Sequence, residues 1–484
     1  MSVKYNLVIA TEIFKFPNYL CLATLLNYMK KIQIVNWGFI FLVSFVFIAC
    51  SKEKKKTDPE TANKQQADSI QALMENPIII NDWIFKENRK DLIIMLADAN
   101  SNGLNPSDYG VKELEKTESK FDKLDSVQQK QYFKILSKSF ALYYRHLYNG
   151  KLDPRKLYPD WDLDQKRIKT DTLLKYALKN KKIRSVLKDA EPKHAQYQGL
   201  KLALVKLNKS NKKDACNIEI NDKLFVGSKH PAMKDVKKKL LLLGDIKKAD
   251  TTAAVYEESL LSGVKKFQER HGIEPNGVIE RLTVKALNVP VQKRKEQIIA
   301  NMERWRWFPR NFEKEYLIIN IPNYSLDLVR EKDTVRSHRV IVGKIKRNTP
   351  ILSSKLSYVV FNPTWTLPPT ILKEDVIPAA TKDRSYFTSK NITIYEGNTA
   401  VSVEDWNPAK AKSYRYVQKP GAFNSLGLVK IMFPNRFSVY LHDTNSRGYF
   451  SRENRSLSSG CVRVQDPFVL TEHLMDDSEK WPQD

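Results

Sequence analysis

The sequence predicts an α+β multidomain protein, helical up to about residue 292 and β-rich beyond it. In residues 91–97 and 132–148, apolar side chains recur at three- and four-residue spacing, which is the period of an amphipathic helix. Residues 316–321 and 325–329 are instead short apolar runs, and the Pro322-Asn323 pair between them is typical of a hairpin turn. At 484 residues, the chain is long enough for two or three domains with separate cores.

The N-terminal region has the layout of an export signal. Met29 and two lysines precede an apolar run at residues 37–49, which ends at Cys50 and is followed by a lysine-rich stretch. The run is short for a membrane span, and a cysteine after small or aliphatic residues resembles a bacterial lipoprotein signal. This resemblance implies lipidation of Cys50 and a periplasmic protein anchored to a membrane of the bacterial envelope. Phe47 stands where leucine is usual, so simple cleavage and an uncleaved anchor are alternatives.

The residues on either side of this run are expected to have separate roles. We expect residues 1–28 to be an upstream extension before a true start at Met29, and residues 29–50 to be the signal peptide. Residues 51–74 are polar and contain too few apolar side chains for a core, which predicts a flexible tether.

Two helical domains are expected between the tether and the β-rich part. Residues 75–228 combine helical periods with turn-rich stretches at 99–109 and 146–154, which predicts a helical scaffold domain without a catalytic constellation. Residues 229–292 contain short helical patterns punctuated by glycines such as Gly244, which predicts a small three-helix domain.

A histidine and a cysteine near the end of the chain are the candidate catalytic pair. His442 ends a strand-like segment at 438–442, and Cys461 lies in a Gly- and Ser-rich loop before a helix predicted at 467–475. A thiol with a pKa near 8.5 attacks carbonyls poorly at neutral pH, but an adjacent imidazole can accept its proton. Alone, either residue is usually structural. Together they predict a cysteine nucleophile with His442 as its base.

The residues around this pair form a longer motif. It comprises His442-Asp443-Thr444, Arg447-Gly448 and the run Ser458-Ser459-Gly460-Cys461-Val462-Arg463-Val464. Upstream, a strand-like segment ending at Gly343, the pair Thr349-Pro350 and the proline-rich segment 362–369 follow in order. This arrangement resembles the YkuD-type L,D-transpeptidases, in the long form found in their large scaffold-bearing members, and residues 229–292 resemble a peptidoglycan-binding domain.

The resemblance implies a β-rich catalytic domain at residues 293–484, with a cap insertion at about 370–426 that closes over the donor peptide. Backbone N–H groups near Gly460 and Cys461 are natural donors to the tetrahedral oxyanion. The resemblance implies that Tyr440 is a further donor, and its alternative role is that of a strand aromatic.

Other polar and aromatic residues are candidates for substrate contacts. Arg463 would hold a substrate carboxylate or brace the loop. Trp365 would line the donor groove or pack in a core, and the remaining candidates are Ser459 and Tyr414. The loop charges expected to be solvated are Arg447, Arg452 and Arg455.

The implied reaction is acyl transfer between peptidoglycan stem peptides. Cys461 would attack the L-centre carbonyl of a tetrapeptide stem, release D-alanine and hold the rest as a thioester, which an amine of a second stem converts to a 3→3 cross-link. Water in place of the amine would give an L,D-carboxypeptidase. The chain ends at Asp484, whereas the family usually continues into a further strand of the catalytic sheet. A truncated, catalytically incomplete protein that binds or scaffolds peptidoglycan is therefore the third alternative.

Composition fits a protein that works near a polyanion. The chain has 81 Lys and Arg against 55 Asp and Glu, a formal net charge of +26. It contains no helix-turn-helix, zinc-finger or RNP pattern, so nucleic acid is not the expected partner. Four cysteines are too few for a disulfide framework, and the seven histidines form no zinc-peptidase motif, so no metal or cofactor is expected. The sequence leaves the oligomeric state open.

Overall fold

The computed structural model describes residues 6–10, 81–164, 166–209, 214, 217–331 and 333–475. These residues divide into two compact units. The β unit takes the described parts of residues 1–14, 159–163 and 312–484, and the helical unit takes those of 15–158 and 164–311. The predicted signal peptide, its Cys50 and the tether lie outside the described residues. No helix within the described ranges is long and apolar enough to cross a membrane.

The first part of the helical unit is a bundle around one long helix. Its helices are α1 (Lys86–Ala97), α2 (Val111–Glu118), α3 (Ser126–Asn149), α4 (Pro154–Leu157), α5 (Thr170–Lys179), α6 (Ile183–Ala190) and α7 (Ala195–Lys209). Short 3-10 helices lie at Asn81–Ile84, Ala99–Asn102, Pro106–Tyr109 and Phe121–Lys123. Helix α3 begins at a capping box on Asp125 and buries Phe140, Tyr143 and Leu147 in the core of the bundle.

The second part of the helical unit is the predicted three-helix domain. Its helices are α8 (Met233–Leu243), α9 (Leu261–Arg270) and α10 (Arg281–Leu287), with a 3-10 helix at Glu258–Leu260. The buried Gln268 amide donates to the Val278 carbonyl at 2.8 Å and accepts from the Gly277 N–H at 2.8 Å. This side chain therefore fixes the turn after α9, a structural role.

Helix α11 (Val291–Trp307) lies in the helical unit, although the sequence placed the start of the catalytic domain at residue 293. Glu303 and Arg306, each with 1% of its side chain exposed, form an ion pair at 2.8 Å. Arg306 also donates to the Asn102 carbonyl and to the Tyr197 hydroxyl. Buried charges require such partners, and all of these partners lie in the helical bundle. The boundary between the units therefore lies near residue 311.

The β unit is built on a large mixed sheet and a smaller sheet. Its strands are β1 (Asn6–Ala10), β2 (Trp161–Asp162), β3 (Glu315–Asn320), β4 (Ser325–Arg330), β5 (Asp333–Gly343), β6 (Ile351–Lys355), β7 (Tyr358–Phe361), β8 (Trp365–Thr366), β9 (Ile392–Glu396), β10 (Thr399–Val401), β11 (Arg415–Gln418), β12 (Val429–Met432), β13 (Leu441–His442), β14 (Ser456–Ser458) and β15 (Val462–Val464). The large sheet runs β2-β6-β1-β3-β4-β5-β15-β13-β12-β7, with β14 beside β5. Strands β3 and β4 form the predicted hairpin.

Strand β1 comes from the segment that the sequence assigned to an upstream extension. It pairs in parallel with β3 and antiparallel with β6. Leu7 and Ile9 are fully buried in the core of the sheet, beside residues such as Leu317 and Leu352. Residues 7–10 are a continuous apolar run, which is typical of a strand that pairs within a sheet and not at its edge. In this structure, residues 6–10 are thus part of the β unit.

The smaller sheet forms the cap. It runs β10-β9-β11-β8 and is accompanied by α12 (Pro369–Ile371), α13 (Ile377–Lys382) and α14 (Ser385–Ser389), with a π-helical turn at Leu372–Val376 and a 3-10 helix at Pro408–Lys410. Phe387, Trp406 and Tyr416 form its core, and the Trp406 indole N–H donates to the Tyr416 hydroxyl at 2.8 Å. The insertion predicted at about 370–426 therefore has an apolar core of its own.

Two predicted elements flank the candidate catalytic pair. Helix α15 (Pro467–Met475) lies where the sequence predicted it and buries Leu470 and Leu474 against the large sheet. The strand predicted at 438–442 is shorter, because the Asn435 side chain accepts from the N–H groups of Phe437 and Val439 and donates to the Val439 carbonyl. These bonds hold the preceding residues in a turn. Further 3-10 helices lie at Ile345–Arg347 and Arg447–Ser451.

Candidate active site

Three neighbouring strands place five polar side chains on one face of the large sheet. Lys430 on β12 is opposite His442 on β13, and His442 is in turn opposite Arg463 on β15. Tyr440 and Cys461, one residue before β13 and β15, continue this alternation, and the Tyr440 and His442 rings lie 5.6 Å apart. On the opposite face, the side chains enter the sheet core; they are Ile431, Leu441 and Val462. The strand register therefore brings the predicted histidine and cysteine to the same side.

The loop before Cys461 is held by two hydroxyl groups, one of its own and one from Thr349. Gly460 has φ +114°, a backbone conformation that favours glycine, and its carbonyl accepts from the Thr349 hydroxyl at 2.8 Å. Its N–H donates to the Ser458 hydroxyl at 3.2 Å, which donates to the Cys461 carbonyl at 2.6 Å. The Gly460 N–H, predicted as an oxyanion donor, is thus engaged within the loop in this resting arrangement.

Tyr440 provides two polar groups that act on the Cys461 sulfur. Burial raises the pKa of Cys461 above its ordinary value, against the effects of the Tyr440 N–H and hydroxyl and the charges of Lys430 and Arg463. Burial raises the pKa of Tyr440. The Trp365 indole faces the Tyr440 hydroxyl and opposes this rise. The Trp365 N–H does not reach hydrogen-bond geometry with any group in the described residues. At neutral pH, the resting Cys461 is therefore a protonated thiol.

His442 is held in the tautomer that a general base needs. Its Nδ1–H donates to the Asp443 carbonyl at 2.5 Å, which leaves the lone pair on Nε2. Burial and the charges of Arg463 and Lys430 lower the pKa of His442 to about 3, although the Asp443 and Leu426 carbonyls oppose this. His442 is diagonal to Cys461 on the adjacent strand, and within the described residues no hydrogen bond joins the two. Such bonds often tighten only when substrate is bound.

Asp443 anchors the end of the histidine strand. Its carboxylate, with 2% of the side chain exposed, accepts from the Leu428 N–H at 3.0 Å and from Arg447 at 3.2 Å. Gly427 has φ +62° and passes so close to this carboxylate that a Cβ there would overlap it. Asp443 therefore holds the position of its neighbour His442.

The predicted substrate contacts have different surroundings. The Ser459 hydroxyl is exposed and accepts from Arg347 at 2.9 Å. Arg463 reaches the Thr444 hydroxyl only at 3.5 Å, and its Nε has no hydrogen-bond partner in the described residues, so it braces the loop weakly. Tyr414 lies in the core of the cap, and Trp365 packs partly against the same core.

One of the loop arginines is not solvated as expected. Arg455 is 4% exposed, and its guanidinium donates to the Val340 and Tyr324 carbonyls, each at 3.1 Å. It therefore joins strand β5 to the turn between β3 and β4. Arg447 remains 63% exposed although it pairs with Asp443.

Two charged residues at the site were missed by the sequence interpretation. Lys430 lies beside Tyr440 and His442, and Arg347 joins the cap to the Ser459 loop. A lone lysine between Val429 and Ile431 does signal a polar strand face, but the partner strand depends on the fold. Arg347 gives no local signal. In the described residues, no group of three or more His, Cys, Asp or Glu side chains is placed to hold a metal ion.

Comparison with known families agrees with this architecture. Residues 314–478 match the L,D-transpeptidase catalytic domain, residues 229–287 match a domain described as "Putative peptidoglycan binding domain", and residues 72–204 match a scaffold domain. A Haemophilus influenzae protein named "Putative L,D-transpeptidase" is 37% identical over 203 residues, covering 40% of this chain and 41% of that protein. The match thus spans less than half of this relative. The chain carries a YkuD-type L,D-transpeptidase catalytic domain together with a peptidoglycan-binding domain.

Proposed function

We propose that this protein joins peptidoglycan stem peptides by L,D-transpeptidation through a thioester on Cys461. The observation that carries the proposal is the placement of Cys461, His442 and Tyr440 on one face of adjacent strands, within a domain that matches the catalytic family. Sulfur, base and hydroxyl donor are the groups that acyl transfer needs.

In the first half-reaction, the Cys461 proton passes to His442 as the sulfur bonds to the L-centre carbonyl carbon of a tetrapeptide stem. The resulting oxyanion is stabilised by the Tyr440 hydroxyl. The C–N bond to D-alanine then breaks, and the leaving amine takes the proton from His442. The remaining tripeptide stem is held as a thioester.

In the second half-reaction, an amine of another stem bonds to the same carbonyl carbon and gives a proton to His442. The C–S bond breaks, and the sulfur takes that proton back. The product is an amide between the third residues of two stems, the 3→3 cross-link. Water following the same path would release the trimmed tripeptide instead.

The products distinguish these outcomes. The full chain is incubated with disaccharide-tetrapeptide in ¹⁸O-labelled water, and the products are separated and weighed. We expect a cross-linked dimer that has lost one D-alanine, without ¹⁸O, and no product from Cys461→Ala. Tripeptide carrying ¹⁸O would identify a carboxypeptidase. Binding to peptidoglycan without either product would identify the incomplete binding protein.

We further propose that the protein is lipidated at Cys50 and held at an envelope membrane in the periplasm. The support is the sequence layout around Met29 and Cys50, which lies outside the described residues. Cys50 would become the first residue, and the removal of residues 1–49 would also remove strand β1. One molecule therefore cannot have both the lipid anchor and this strand. Mass analysis of the N-terminal peptide from bacterial membranes tests this: a diacylglyceryl-Cys50 terminus supports the anchor, and a peptide containing Leu7 contradicts it.

A further inference from the structure

Lys430 is a charged residue at the active site that has no acidic partner in the part of the chain that the structure describes. It lies opposite His442 in the sheet and is half-buried, and its ammonium nitrogen is 4.1 Å from the centroid of the Tyr440 ring. Among the described residues, no carboxylate forms an ion pair with it. Burying a cation without a counter-charge is costly, which points to a role for the charge at this position.

The groups facing Lys430 come from three strands. On β13 these are Tyr440 and His442, and on β15 they are Cys461 and Arg463. On β7, Val360 is directly opposite, with Tyr358 one alternation further along. The carboxylate nearest along β13, that of Asp443, is instead bound by Leu428 and Arg447.

The charge that acts on Lys430 is that of Cys461. Burial lowers the pKa of Lys430, and the negative charge of a Cys461 thiolate opposes that effect. In return, Lys430 is one of the two cations that favour the thiolate. Lys430 and Arg463, the same two cations, also lower the pKa of His442 and help keep it neutral. The positive charge beside a nascent thiolate therefore comes from these two residues and not from an imidazolium.

We propose that Lys430 stabilises the negative charge that develops on the Cys461 sulfur, in part by polarising the Tyr440 hydroxyl through the face of its ring. A cation over an aromatic face is attracted to it, and a positive charge near a phenol makes its hydroxyl a stronger donor. Lys430 is thus a positioning and electrostatic residue for the proposed reaction, on which this role rests.

The test measures the thiol pKa of the full chain without needing turnover. Iodoacetamide alkylation of Cys461 is followed against pH from the mass of its tryptic peptide, for the native chain, Lys430→Met and Lys430→Arg. The control is Lys355→Met, which removes the same charge from an exposed site on β6, well away from β15 in the sheet. Thermal unfolding verifies that each variant folds, and Lys430→Gln replaces Lys430→Met if the latter does not.

We expect Lys430→Met to raise the alkylation midpoint by about one pH unit. At any pH below the midpoint, the thiolate fraction is then roughly tenfold smaller. Since thiolates of higher pKa are more nucleophilic, the alkylation rate below the midpoint falls by only about threefold. Lys430→Arg should restore most of the native midpoint, and Lys355→Met should leave it unchanged.

An unchanged midpoint in folded Lys430→Met would overturn the proposal. If KM for the stem peptide rose at the same time, Lys430 would instead contact a substrate carboxylate. The result is separable from the proposed function. A shifted midpoint with no cross-linked or trimmed product would support the role of Lys430 and contradict the proposed reaction. Normal product with an unshifted midpoint would support the reaction and contradict the role of Lys430.

Discussion

The Arg347 guanidinium donates a 2.9 Å hydrogen bond to the Ser459 hydroxyl, two residues before Cys461. The same guanidinium binds Glu374 in the cap at 2.9 Å and Asp375 at 2.6 Å. The carboxylates hold the pKa of Arg347 above its ordinary value, so the bridge stays charged at every working pH. One side chain therefore ties the cap to the loop that carries the nucleophile.

Replacement of Arg347 by alanine is expected to release the cap. Amide exchange at residues 369–389 should accelerate. The kcat/KM for the stem peptide should fall by roughly tenfold, since charge-assisted bonds contribute on the order of 1.5–3 kcal/mol and the half-exposed Glu374 and Asp375 place this one at the lower end. The matched control is Arg415→Ala, which removes an exposed cap arginine that stacks on Tyr395 at 4.4 Å. Equal exchange rates in both variants would contradict a role for Arg347 in closing the cap.

The rate of Cys461 alkylation should rise with pH in a single step. Burial raises the pKa of Cys461, and His442 has a pKa of about 3, so a thiolate–imidazolium pair is not the resting state. The rate is expected to increase tenfold per pH unit until it levels off above about pH 8.5, the ordinary thiol pKa. A plateau between pH 5 and 7, measured with iodoacetamide, would instead indicate a preformed ion pair.

Gly427→Ala should disturb the active site through Asp443, the residue that follows His442. A Cβ at this position would displace the Asp443 carboxylate from Leu428 and Arg447, in addition to the cost of a positive φ. We expect a loss of about 2–4 kcal/mol in stability of the β unit and a fall in activity. Gly397→Ala is the control, because Gly397 has φ +59° and open space where a Cβ would lie. Similar losses for the two variants, measured by urea unfolding, would mean that backbone conformation alone matters.

In the full, uncleaved chain, strand β1 should contribute to the stability of the β unit. Leu7 is fully buried, so Leu7→Ala is expected to lower the free energy of unfolding by about 2–5 kcal/mol and to speed amide exchange in β3 and β6. Leu202→Ala, at a leucine that is 72% exposed in the helical unit, is the control and should change little. No difference between the two variants would show that residues 6–10 do not pair with the sheet in solution.

Local sequence patterns predicted the fold classes well, while the catalytic roles of His442 and Cys461 stay a prediction. The helical periods, the β3–β4 hairpin and α15 depend on neighbouring residues, and the motif around His442 and Cys461 is contiguous in each half. The place of α11 in the helical unit has no local signal, because burial of Glu303 and Arg306 depends on Asn102 and Tyr197, which are far away in sequence.

The parts of the site that the sequence did not predict depend on pairing between distant segments. Lys430 acquires its neighbours only when β12 pairs with β13, and Arg347 meets Glu374 and Asp375 only after the cap has folded. Strand β1 lies more than 300 residues before its partner β3. No periodicity or local motif encodes such contacts.

The central claim is that Cys461 carries the acyl group. The most direct measurement is the intact mass of the full chain, quenched in acid seconds after mixing with disaccharide-tetrapeptide. We expect an added mass equal to the substrate minus D-alanine, located on the Cys461 peptide, removed by neutral hydroxylamine and absent from Cys461→Ala. Formation of cross-linked or trimmed product by folded protein without this adduct, or an equal adduct on Cys461→Ala, would contradict the account.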